Sequence, residues 1–120
     1  MRVPGPDHPI SIAPAGARVT VIVAGEAIAS SQRALVLEEA DYPPVYYLPP
    51  EDVAMDLLEA SDRTTHCPYK GDASYYSIPL VGDLGVDAVW SYVDPYPAVA
   101  AIAGHLAFYP DRAEIVLGEV

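Results

Sequence analysis

The chain has one cysteine, Cys67, and one lysine, Lys70, among its 120 residues. A single thiol cannot close an internal disulfide, and it falls short of the several cysteines that zinc sites in small β domains use. Only six residues are basic against 17 acidic ones, for a formal net charge of -11. That field repels nucleic acid and anionic lipid, so neither nucleic acid nor a membrane is an expected partner. Long apolar runs are also missing. The longest, such as Val19 to Ala24, is far below a membrane span, and the amino terminus has no basic segment followed by an apolar signal core. A soluble, cytoplasmic protein is the expectation. No Asp-x-Asp pair and no glycine-rich loop leading into a helix occurs, which removes the usual means of holding Mg²⁺ and a triphosphate. His66, Cys67 and His105 could ligate a metal in principle, but adjacent residues in a strand point to opposite sides. No metal and no cofactor is expected.

Proline, glycine and tyrosine are abundant, at 13, 8 and 9 residues, and 52% of the chain is hydrophobic. Frequent turn residues favour short strands over long helices, and the apolar content is enough for one compact core. Residues 1 to 16, with six prolines or glycines around Ile10-Ser11-Ile12, read as an extended arm. Arg18 to Val23 is a β-branched strand, followed by a turn at Gly25 and a second strand over Ala27 to Ser30. Alternation over Arg33 to Glu39 predicts a strand with Arg33, Leu35, Leu37 and Glu39 on one face. Val45 to Leu48 is a strand between proline pairs, and Pro49 and Pro50 open a helix running to about Ala60. Ala73 to Pro79 alternates Tyr75 with Tyr76, and Leu80 to Gly85 reads as a hairpin loop. Val86 to Val93 places Val86, Ala88, Trp90 and Tyr92 on one face. A second helix runs from Pro95 to Gly104, and strands at His105 to Tyr109 and Glu114 to Leu117 close the chain. The sum is a mainly β, α+β single domain of short antiparallel strands with two short helices.

Chemistry concentrates in the segment Thr65-His66-Cys67-Pro68-Tyr69-Lys70-Gly71. Pro68 and Gly71 predict a turn that brings Cys67 and Lys70 within about 7 Å of each other along the backbone. A cation there favours the thiolate. The plain alternative is a cysteine that packs in the core beside a solvated turn.

Three ordered pieces resemble one bacterial family: Tyr46-Tyr47-Leu48-Pro49; Thr65 to Gly71 with Tyr75-Tyr76; and Trp90-Ser91-Tyr92-Val93-Asp94-Pro95-Tyr96-Pro97 followed by Ile102 to Tyr109. This is the domain of unknown function 427 family, sometimes labelled nucleotidyltransferase-like, and the similarity covers about residues 17 to 118. The resemblance implies a small β-rich fold similar to the Mss4-like tent of sheets, with a cleft whose chemistry it leaves open.

The residues themselves suggest a small-molecule cleft walled by Tyr46, Tyr76, Trp90, Tyr92 and His105, with Arg33 and Lys70 holding an anionic or planar metabolite and Glu39 orienting Arg33. A second reading makes Cys67 a nucleophile activated by Lys70, with Glu39 or His105 moving protons. A third is an interaction domain whose exposed strand edge pairs with a copy of itself as a homodimer. Each residue also has a packing role: Trp90 in the core, His105 as a hydrogen-bonded structural histidine, and Arg33 and Glu39 at the sheet margins.

Overall fold

A computed structural model describes residues 1–118. Among the described residues, ten strands form three antiparallel sheets. The strands are β1 (Ile10–Pro14), β2 (Val19–Val23), β3 (Glu26–Ser31), β4 (Leu35–Glu39), β5 (Val45–Tyr47), β6 (Glu59–Cys67), β7 (Gly71–Ser77), β8 (Val89–Ser91), β9 (Leu106–Phe108) and β10 (Glu114–Leu117). The sheet orders are β1-β4-β5, β10-β2-β3 and β6-β7-β8-β9.

Strands β7 to β9 of the four-stranded sheet carry apolar residues on both faces, and strand alternation divides them between two cores. Val89 and Phe108 are cross-strand partners. They pack with Val19, Val21 and Ile28 of β2 and β3. One residue along, Trp90 is opposite Tyr75 on one side and Ala107 on the other. This second set packs with Leu37 and Tyr47 of β4 and β5. Strand β5 contributes to both cores, Tyr46 to the first and Tyr47 to the second. A bridge between Leu48 and Leu106, with backbone bonds of 2.8 Å in both directions, joins β5 to β9. The site described below lies on the second core.

The β-rich architecture agrees with the sequence, and several element boundaries differ from it. The helix expected over Pro49 to Ala60 is two 3-10 turns, Pro50–Asp52 and Met55–Leu57. Glu59 and Ala60 already belong to the nine-residue β6, a strand not foreseen because its Ser, Asp, Arg and Thr residues show no apolar alternation. The second helical segment is a 3-10 stretch, Pro97–Ile102, which buries Val99 and Ile102. Leu80 to Gly85 belongs to a third 3-10 segment, Pro79–Gly85. Strand β4 starts at Leu35, leaving Arg33 in the preceding bend and outside the face shared by Leu37 and Glu39. In the amino-terminal arm, Ile10–Pro14 pairs with β4 from Ile10↔Glu39 to Pro14↔Leu35. Among the described residues no helix is long and apolar enough to cross a membrane.

Candidate functional site

The turn foreseen around Pro68 is the β6–β7 connection, with Cys67 and Gly71 as closing partners. Gly71 has φ +109°, so a side chain is disfavoured by conformation, although a Cβ there would make only an ordinary contact, 3.6 Å from the Pro95 Cα. Neighbouring segments clamp the turn. The Arg2 amide donates to the Pro68 carbonyl at 2.7 Å, and the Tyr96 amide donates to the Lys70 carbonyl at 3.0 Å. The His8 ring stacks on Tyr69 with centroids 3.9 Å apart.

Held in this way, Lys70 extends to the end of β4 and donates to Glu39 Oε1. The other oxygen, Oε2, is 2.7 Å from His8 Nε2. Both ends of the Glu39–Lys70 pair are mostly buried, with 12% of each side chain exposed. Burial opposes ionisation of Glu39, yet the hydrogen bonds and charges of Lys70 and His8 hold its carboxyl below the ordinary carboxylate range. The cation that the sequence suggested would activate Cys67 is therefore committed to a carboxylate.

Above this pair lies a cavity of about 190 Å³. Leu37 and Glu39 form its floor with Lys70, and Tyr47, Tyr75, Trp90, Tyr92 and Tyr109 form its wall. A turn after β4, closed by the Tyr42 amide on the Glu39 carbonyl at 2.9 Å, brings Tyr42 and Pro43 to the mouth. Tyr42 is 65% exposed, so the mouth reaches solvent.

The wall is organised by Trp90. Its Nε1–H donates to the Tyr47 hydroxyl at 3.3 Å. Its ring meets Tyr47 edge-on, with centroids 6.3 Å apart, and Tyr109 at a tilt, with centroids 4.5 Å apart. These geometries suit interacting aromatic quadrupoles. Thr65 Oγ1 and the Tyr75 hydroxyl are 2.9 Å apart, and Arg63 lies over the Tyr75 ring, 5.0 Å from its centroid. Burial raises the pKa of Tyr47 and of Tyr92 far above the ordinary phenol value, and burial with the Tyr75 contact raises Tyr109 to about 12. At neutral pH these hydroxyls are uncharged. Tyr47 accepts from Trp90, and among the described residues its own proton has no acceptor. It is a free donor on the cavity wall.

Of the residues singled out in the sequence, the structure brings Glu39, Lys70, Trp90 and Tyr92 together at this cavity. Tyr46 and Tyr76 face the other core. Their chain neighbours Tyr47 and Tyr75 take the wall positions, and alternation alone could not say which tyrosine of each pair faces which side. Arg33 is not at the cavity. It binds Asp52 through Nε and a terminal nitrogen at 3.3 and 3.2 Å, with Ser31 donating to the same carboxylate at 2.6 Å. The hydrogen bonds from Ser31 and Arg33 hold Asp52 below the usual carboxylate value. Cys67 is half-buried against the second core and does not line the cavity. His105 holds the Ala103 carbonyl through Nδ1 at 3.0 Å, away from the wall. His66 is 2.7 Å from Asp72, and no group of three or more metal-ligating side chains is assembled among the described residues. His8 and Tyr109 were not foreseen as site residues. The arm carrying His8 has no local pattern that marks it as part of a site, and Tyr109 was marked only as the last residue of a strand and of a family-like segment.

A family model described as "Domain of unknown function (DUF427)" matches residues 11–119. No curated protein matches the chain.

Proposed function

From the premise that the chain belongs to the domain of unknown function family DUF427, we propose that it is a binding module for a small, uncharged, planar molecule held in the aromatic cavity. The observation that carries this reading is the mutual neutralisation of Glu39 and Lys70 at the floor of a cavity walled by Trp90 and four tyrosines. A free ammonium would favour an anion. One already bound to a carboxylate offers little net field, and the protein's overall charge of -11 adds repulsion. Arg33, the other cation considered for an anionic ligand, is occupied by Asp52.

Size narrows the ligand further. A cavity of about 150 Å³ in another protein accommodates benzene, so about 190 Å³ suits one six-membered ring with a small substituent. The ring stacks along Trp90 and Tyr109, and a polar oxygen on it accepts from Tyr47. The nucleophile reading of Cys67 has less support, because the thiol is off the cavity and Lys70 is engaged elsewhere.

Calorimetric titration with 4-methylphenol and 4-methylbenzoate tests the proposal. The phenol is expected to bind with a dissociation constant of about 0.1–1 mM, at least tenfold tighter than the benzoate. Tyr109→Ala is expected to weaken phenol binding about tenfold by removing half of the stacking wall. No saturable phenol binding, or tighter binding of the benzoate, would overturn the reading.

A further inference from the structure

Beside the aromatic cavity lies a larger space of about 540 Å³, and Trp90, Tyr109, Val45 and Pro43 line both. Its remaining lining, including Tyr46, Phe108, Ile115 and Leu117, is mostly apolar and has no charged side chain among the described residues. Leu117 is 50% exposed at its rim and Tyr42, common to both spaces, is 65% exposed. The smaller cavity is below the usual size of a ligand site, whereas the two spaces that share the Trp90–Tyr109 wall, taken together, fall within it.

We propose that the ligand is an uncharged amphiphile: a single ring bearing a hydroxyl or carbonyl oxygen in the aromatic cavity, with an unbranched or prenyl-like apolar chain laid in the adjoining groove. This deepens, and rests on, the binding-module reading. Three observations select this occupant. The charged groups lie at one end only, at the Glu39–Lys70 pair beside Tyr47, whereas the groove is mostly apolar, with only tyrosine hydroxyls as polar side-chain groups among its described residues apart from the Trp90 indole N–H. The Glu39 carboxylate has acceptor capacity beyond its bonds to Lys70 and His8, so a phenolic hydroxyl can donate to it while accepting from Tyr47. The negative net charge disfavours a fatty acid or other anionic amphiphile in the same groove.

The test compares 4-methylphenol, 4-heptylphenol and heptanoate by calorimetry on the wild type, Leu117→Glu and Tyr47→Phe. The heptyl chain is expected to tighten binding at least tenfold over the methyl compound, with heptanoate binding at least tenfold more weakly than heptylphenol. Leu117→Glu, at an exposed rim position, is expected to remove most of the chain-length gain and leave 4-methylphenol affinity within twofold. Tyr47→Phe is expected to weaken both phenols by a similar factor, about fivefold. If 4-methylphenol binds and the heptyl chain adds less than twofold, the groove is no part of the site and this inference fails while the binding-module reading stands. If heptanoate matches heptylphenol, the groove takes any apolar chain and the inference also fails. If no phenol binds, both fall together.

Discussion

Replacing Lys70 with methionine is expected to lower stability at pH 7 by about 3 kcal/mol, because it leaves Glu39 as a mostly buried carboxylate with His8 as its one remaining side-chain partner among the described residues. For a chain of 120 residues that corresponds to a fall in melting temperature of roughly 12 °C. Methionine keeps most of the aliphatic stem, so the loss reports the ion pair and not a cavity. His8→Ala is expected to cost about 1 kcal/mol, since Lys70 then still pairs with Glu39. The effect depends on pH in a definite direction. The folded Glu39 pKa lies below its ordinary value of about 4.3, so the stability it contributes is complete above that value and is lost as the pH falls through the folded pKa. The difference between wild type and Lys70→Met is therefore largest near neutrality and shrinks below about pH 4. Denaturant unfolding at a series of pH values measures it. A difference that persists unchanged at pH 3 would show that packing of the lysine stem, not charge, is what the substitution removes.

Gly85→Ala is the second large expected effect, and it acts on the opposite core. The Ile78 amide donates to the Gly85 carbonyl at 2.8 Å, and a Cβ on Gly85 would overlap the Ile78 carbonyl oxygen. The obstacle is backbone and cannot rotate away, so relief requires Ile78 to move. Ile78 is fully buried in the core formed with β2 and β3. A loss of about 3 kcal/mol is expected. Because the four-stranded sheet separates that core from the cavity, folded Gly85→Ala protein is expected to bind 4-methylphenol with wild-type affinity. Parallel unfolding and titration experiments distinguish this variant from Lys70→Met, whose loss lies at the cavity floor.

The parts of the fold that were legible in the sequence are those with a clear period or a stereochemical signal. The β-branched run Val19 to Val23, the alternation of Leu35, Leu37 and Glu39, and the Pro68–Gly71 turn all correspond to observed elements. Strand β6 was hidden because it lies at the edge of its sheet and most of its residues are exposed, so no apolar period constrains them. The proline pairs and acidic first turn at Pro49 to Asp52 looked like a helix start, but only three residues follow that geometry before the chain extends again at Val53.

The site was legible in its residue types and less so in its pairings. Lys70 and Glu39 stood out as a rare cation and a carboxylate on an apolar face, yet their meeting depends on the β1–β4 pairing and on the clamped turn, which are long-range events. Arg33 appeared to share the face of Glu39 as long as the strand was taken to start two residues early. Moving its start to Leu35 releases Arg33 to Asp52. For the Tyr46-Tyr47 and Tyr75-Tyr76 pairs, strand alternation predicts that one member faces each side. Only the packing of the three sheets decides which one.

The central claim is that Trp90 forms the wall of an occupiable cavity. Since it is the only tryptophan, its indole N–H gives a single resonance in a nitrogen–proton correlation spectrum. Titration with 4-methylphenol is predicted to shift that resonance saturably, together with the amides of Leu37, Lys70 and Tyr109, while those of Val21 and Ile28 in the other core stay in place. An indole resonance that does not move at millimolar phenol, or shifts scattered evenly over both cores, would contradict it.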